Sequence, residues 1–167
     1  MVAPPVSSGR VIAVADAAAM RALGATLARV LRAGDLVLLG GELGAGKTTL
    51  TQGVAAGLDV RGPVTSPTFV IARLHPSLSG GPPLVHVDAY RLGGWAELED
   101  LDLEATLDEA VTVVEWGEGL AEGLARDRLD VHIHRTVGNA AGDSTRDVRH
   151  VTITGVGARW AGVELRP

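Results

Sequence analysis

Asp35-Leu36-Val37-Leu38-Leu39-Gly40-Gly41-Glu42-Leu43-Gly44-Ala45-Gly46-Lys47-Thr48-Thr49 is the stretch on which the fold turns. Asp35 to Leu39 reads as a strand, and behind Asp35 it is apolar without alternation, the pattern of a strand covered on both faces in an α/β sheet. That strand feeds straight into Gly41 to Thr48, which has the spacing Gly-x4-Gly-Lys-Thr of a phosphate-binding loop, and a helix from Gly46 to about Ala56, stopped by Gly57, opens on it. Glycines let a backbone fold round an anion, with successive N–H groups pointing inward and a helix N-terminus behind them. In such a loop Lys47 bridges the β and γ phosphates and the Thr48 hydroxyl ligates Mg²⁺. ATP and Mg²⁺ binding by Gly41, Leu43, Gly44, Ala45, Gly46, Lys47 and Thr48 is the expectation.

Upstream of the loop, Val11 to Val14 reads as a strand. Asp16 is placed to cap a helix running to about Leu31, with Met20, Leu23, Leu27, Val30 and Leu31 on one face, ended by Ala33-Gly34. Downstream, a turn-rich passage leads through Gly62-Pro63 to Ser66-Pro67. Phe69 to Leu74 and Leu84 to Tyr90 read as strands, and the nine residues from His75 to Pro83 are too few for a crossover helix. They are expected as an antiparallel hairpin, which makes the sheet mixed. Trp95 to about Leu107 reads as an acidic helix, Val111 to Val114 as a buried strand, and Asp130 to Arg135 with Arg146 to Thr154 as a last pair of strands around a loop from Thr136 to Thr145. The fold class is α/β: one P-loop domain over residues 11–167, a mixed parallel and antiparallel sheet flanked by helices, behind a flexible tail of residues 1–10.

Composition narrows the function classes. The 167 residues include no cysteine, which excludes a disulfide framework and a thiolate zinc site. The N-terminal residues lack a leader pattern and no run reaches the length of a membrane span, so a cytoplasmic protein with no membrane contact is expected. A net charge of −5 disfavours non-specific nucleic-acid binding. Leu92 to Ala125 holds ten acids and no base, a surface that repels RNA. Of the fifteen Lys and Arg residues, only Lys47 is lysine. A compact ammonium reaches between two phosphates where a planar guanidinium is too broad.

A phosphate-binding loop needs a carboxylate at the end of a neighbouring strand. Asp88 ends Val85-His86-Val87-Asp88, and alternation places His86, Asp88 and Tyr90 opposite Val85, Val87 and Ala89. Glu115 ends Val111-Thr112-Val113-Val114-Glu115. With Lys47, these two carboxylates are the candidate catalytic residues, and with Thr48 the candidate metal partners. Thr65-Ser66-Pro67-Thr68 is a turn able to present hydroxyls to a γ-phosphate. Guanine recognition by an Asn-Lys-x-Asp loop is impossible when the one lysine is already in the phosphate loop, so ATP is favoured over GTP.

Gly-Glu-Leu-Gly-Ala-Gly-Lys-Thr-Thr at 41–49, Ser66-Pro67-Thr68-Phe69, His86-Val87-Asp88-Ala89-Tyr90-Arg91, Glu97-Leu98-Glu99 and Val114-Glu115-Trp116 together resemble the bacterial TsaE (YjeE) family, from about Val11 to Arg149. The resemblance implies a slow ATPase that serves threonylcarbamoyladenosine formation in tRNA with TsaB and TsaD, touching tRNA only indirectly. It makes Thr48 and Glu115 the Mg²⁺ partners and Asp88 the residue that orients water or metal. Ser66 and Thr68 then sense the γ-phosphate, Thr49 continues the loop, and Trp116 lies near the nucleotide. In the family the segment before Asp16 and the Arg146 region also approach the nucleotide, and the match weakens after Gly119. Two other readings fit the loop: a small-molecule kinase, whose arginine-bearing lid would fall in the base-free stretch, and a nucleotide-gated adaptor that hardly hydrolyses ATP.

Overall fold

The computed structural model describes residues 4–7, 9–67, 71–136 and 147–165. Its elements are β1 (Arg10–Val14), α1 (Ala17–Ala28), β2 (Leu36–Gly41), α2 (Lys47–Leu58), β3 (Ala72–His75), β4 (Leu84–Asp88), α3 (Trp95–Glu99), α4 (Glu104–Leu107), β5 (Val111–Glu115), β6 (Arg128–Arg135) and β7 (Arg149–Val156). All seven strands form one sheet in the order β1-β7-β6-β2-β5-β4-β3. Its centre is parallel, with β2 between β5 and β6 and with β4 beside β5, while β1, β7 and β3 add antiparallel edges. The mixed sheet is the expected one, and the hairpin of β3 and β4 pairs Ala72 with Val87 and His75 with Leu84.

Burial on both faces explains the apolar run of β2. Val37 and Leu39 join Val113, Val131 and Ile133 under α1 and α2, where Met20, Leu23, Leu27, Leu50 and Val54 complete one core. Leu36 and Leu38 face the other way, against Val85, Val87, Val114, Leu98 and Leu103. The two cores between them hold the parallel centre of the sheet and therefore the strand ends that carry the site.

Asp16 caps α1 by accepting the Ala19 amide at 2.8 Å. The helix closes at Ala28 rather than Leu31, because its last turn tightens: Arg29 donates to Thr26 and Val30 to Leu27. α2 does not stop at Gly57. It continues to Leu58 and ends at Asp59, which takes the left-handed conformation at φ 54°. Gly57 and Gly53 are contact residues instead: a Cβ on Gly53 would lie 2.1 Å from the Arg21 carbonyl oxygen, and one on Gly57 2.5 Å from Ala28 Cβ. The expected helix from Trp95 to Leu107 is two short helices, α3 and α4, because Asp102 turns to φ 50° between them. Residues 5–7, which the sequence places in a tail, run along the end of β7, with Val6 bridging Val156 and the Ser7 amide donating to Gly155. Most of the expected 136–145 loop, the start of the last strand at Arg146, and residues 68–70 lie outside the described residues.

Candidate functional site

The end of β2 forces the loop. Gly41 sits at φ 135°, and a Cβ there would be 2.5 Å from the Ile133 carbonyl oxygen of the neighbouring β6. Gly46, at φ 114°, is the N-cap of α2 and offers no side-chain hydrogen bond. The first turn of a twelve-residue helix is thus left without a side-chain cap, and its N–H groups form an anion-binding end.

Lys47 is the first residue of that helix and only 5% exposed. Its ammonium donates to the carbonyls of Gly41 at 2.8 Å and Glu42 at 2.9 Å and lies 3.9 Å from the centre of a Trp116 ring. Burial holds it below the usual lysine range, against the opposing pull of Glu115, Asp88 and Glu118. Trp116 gains this position by turning to φ 62° directly after β5, and its ring also packs on Tyr90 with centroids 5.0 Å apart.

The parallel register of β4 and β5 pairs Asp88 with Glu115, so the two expected carboxylates leave the sheet side by side. Glu115 is 3% exposed. Its Oε1 accepts from the Thr48 hydroxyl at 3.0 Å and from His86 Nε2 at 2.7 Å, and its Oε2 lies 3.3 Å from the same hydroxyl. Asp88 is more open: Oδ2 accepts from the Ser66 hydroxyl at 3.1 Å and Oδ1 from the Tyr90 amide at 3.0 Å.

These groups surround a cavity of about 420 Å³ lined by Leu43, Gly44, Gly46, Lys47, Thr48, Thr49, Ser66, Asp88, Glu115 and Trp116. Thr68 lies outside the described residues, and Gly41 and Ala45 do not line this cavity. Tyr90, which alternation places on the face of His86 and Asp88, also lines the cavity, as do Ile71 and Arg91, to which the sequence assigns no role; for Arg91 the signal is its place three residues after Asp88. A second cavity, of about 120 Å³, opens on the other side of the loop between Asp16, Ala17, Met20, Gly44, Ala45, Gly46, Thr49 and Arg149. Arg149 donates to the Ala45 carbonyl at 3.1 Å and is paired with Asp147. It reaches the loop from β7, 104 residues away, and no local pattern marks it.

The arrangement fits a Mg²⁺-bound polyphosphate chemically. An uncapped helix end and a buried ammonium attract anions, while a hydroxyl facing two carboxylate oxygens supplies the hard oxygen ligands that Mg²⁺ prefers. Among the described residues no helix is long and apolar enough to cross a membrane.

Comparison with known proteins gives one consistent result. The family model described as threonylcarbamoyl adenosine biosynthesis protein TsaE matches residues 14–146. The tRNA threonylcarbamoyladenosine biosynthesis protein TsaE of Streptomyces coelicolor is 65% identical over 147 residues, covering 87% of this chain and 97% of that protein. The protein of the same name from Bacillus subtilis is 40% identical over 141 residues, 84% of this chain and 82% of its own. The crystal structure of Bacillus subtilis YdiB superposes with a TM-score of 0.71 at 33% identity, over 92% of this chain and 90% of that one.

Proposed function

From its membership of the TsaE family, which the family model and the relatives establish, we propose that this chain binds ATP and Mg²⁺ at the β2–α2 loop and hydrolyses ATP to support threonylcarbamoyladenosine formation in tRNA. The observation that carries the reading is Thr48, whose hydroxyl stands 3.0 Å from Glu115 while the neighbouring Lys47 ammonium is buried against the loop carbonyls. Neither arrangement serves the core; both serve a charged ligand.

Thr48 and Glu115 would hold Mg²⁺, directly or through water, and the ion when bound offsets charge on the phosphate oxygens. Lys47 moves its donors from the Gly41 and Glu42 carbonyls to the phosphates, a flexible ammonium finding a better partner than a neutral carbonyl. Asp88, held by Ser66 and the Tyr90 amide, keeps its carboxylate at the cavity and orients the attacking water. Arg91 adds positive charge at the same wall. Trp116 and Tyr90 shield one side from solvent. The smaller cavity beside Arg149 takes the base end of the nucleotide. TsaB and TsaD are the partners, the chain touches tRNA only through them, and it works in the cytoplasm.

ATP turnover by the purified chain, alone and with TsaB and TsaD, tests the reading. Slow hydrolysis that the two partners accelerate is the expected result. In cells whose only copy is Lys47→Ala or Thr48→Ala, tRNA threonylcarbamoyladenosine is lost although the variant protein accumulates folded. Unchanged modification in those cells would refute the proposal, and turnover that requires a small phosphoryl acceptor would replace it with a kinase.

A further inference from the structure

Accepting the magnesium-nucleotide site just proposed, the geometry points to His86 as the residue that positions Glu115: its imidazole, neutral and protonated at Nε2, holds Oε1 of the carboxylate and leaves Oε2 and the Thr48 hydroxyl to the cavity. His86 lies on the inward face of β4, 0% exposed, in register with Val113 of β5. Leu84 and Val113 on that face are ordinary core residues. A polar ring among them incurs a desolvation cost unless it makes a specific bond. It makes one, from Nε2 to Glu115 Oε1 at 2.7 Å.

The protonation state follows from the partners. An ionised carboxylate can only accept, so Nε2 carries a proton. Nδ1 is buried with no hydrogen-bond partner among the described residues, and a second proton there would be an unpaired buried donor. The ring is therefore the neutral Nε2–H tautomer.

The consequence concerns which oxygen is free. Thr48 has a single hydroxyl proton, shared between Oε1 at 3.0 Å and Oε2 at 3.3 Å. Oε1 already holds the shorter bond to the ring, whereas among the described residues Oε2 has that longer contact alone. A glutamate with three rotatable bonds loses substantial freedom when fixed, and a donor behind it takes that ordering out of the binding step. Hydrogen bonds of this kind behind a metal-binding side chain are typically worth 10- to 100-fold in metal affinity or activity.

Three proteins test this: the wild type, His86→Gln, whose amide nitrogen reaches about as far as Nε2, and His86→Leu, which fills space without a donor. Calorimetric Mg²⁺ titration of the ADP-bound protein is expected to show roughly 10- to 100-fold weaker Mg²⁺ binding in His86→Leu, with most of it recovered in His86→Gln. ADP affinity in EDTA stays within about twofold of wild type in both, since the phosphate loop itself is untouched. Unchanged Mg²⁺ affinity in His86→Leu, or equal losses in both variants, overturns the positioning role. ¹⁵N-edited NMR of the histidine rings in the nucleotide-free wild type gives a separate answer. A proton on Nε2 and none on Nδ1 is expected, and the opposite tautomer overturns the proposal even if His86→Leu does not fold. If the wild type binds no nucleotide, the functional reading fails, while the ring spectrum still decides whether His86 holds Glu115.

Discussion

Lys47 shows at the scale of one residue how a binding site is kept ready at the expense of stability. The residue is 5% exposed, its ammonium is paired among the described residues with two carbonyls and an aromatic face, and burial outweighs the three carboxylates that draw its pKa upward. A lysine whose pKa is lowered on folding binds its proton more weakly in the folded chain than in the unfolded one. It therefore opposes folding at neutral pH, and the opposition fades as pH rises from the lowered folded value toward the ordinary 10.5. Lys47→Met, which keeps the volume and removes the charge, is predicted to leave the nucleotide-free Tm at or above wild type at pH 7. The difference should shrink as pH approaches 10. Excess Mg²⁺ and ATP should raise the wild-type Tm and leave the variant unmoved. Thermal unfolding at several pH values checks both parts, and a variant clearly less stable than wild type without nucleotide defeats the argument. Lysine at this position was readable from sequence because it is the only one in the chain and stands in a spaced motif. The orientation of its ammonium was not, because it depends on Trp116 adopting φ 62° after β5.

At the scale of elements, the site depends on α2 lying close enough to α1 for its N-terminus to be held against β2. Glycines provide that closeness: Gly24 of α1 would place a Cβ 2.3 Å from the Leu50 carbonyl oxygen, and Gly53 of α2 one 2.1 Å from that of Arg21. Gly53→Ala gains about 1 kcal/mol in helix propensity, yet the helices must separate to admit the methyl group, and overpacking of this kind costs roughly 1–3 kcal/mol or more. The prediction is a net loss of about 1–2 kcal/mol in urea unfolding, with weaker nucleotide binding from displacement of the α2 N-terminus. A stabilised Gly53→Ala protein would show that the helices are not in such contact. These glycines also explain where sequence reading faltered. Gly57 has the composition of a helix stop, but its meaning comes from Ala28 on another helix, and the true end is a left-handed Asp59. Continuous apolar runs such as β2 and β5 were read correctly because burial on both faces leaves no other pattern. The acidic segment was read as one helix because composition does not reveal that Asp102 reverses the backbone between α3 and α4.

Across the whole molecule, the C-terminal segment closes on the strand that delivers the phosphate loop, while residues 5–7 run along β7. Asp35 precedes β2 and is 4% exposed, and Arg159, 124 residues later, donates to both of its oxygens at 3.0 and 2.9 Å. The guanidinium also reaches the Val30 carbonyl at 2.7 Å after α1 and lies 4.3 Å from the centre of a Trp160 ring. One arginine therefore joins the C-terminal segment, the end of α1 and the entrance to β2. Nothing near Asp35 in the sequence announces it, since the charge at the start of that strand is neutralised from a segment 124 residues later. Removing one partner from a buried pair strands the other charge and costs about 3–5 kcal/mol, whereas replacing both by apolar groups is often neutral. Arg159→Met is thus predicted to lower stability by roughly 3 kcal/mol. Asp35→Leu combined with Arg159→Met should recover most of that loss, apart from the Arg32 amide that Asp35 also accepts. Because the pair lies at the opposite end of β2 from the loop, nucleotide affinity of the folded fraction should change little in either variant. Urea unfolding of the single and double variants, with ATP binding measured below the transition, separates the effects. Additive losses would mean that the two charges act independently, and β2 would then owe its placement to its apolar faces alone.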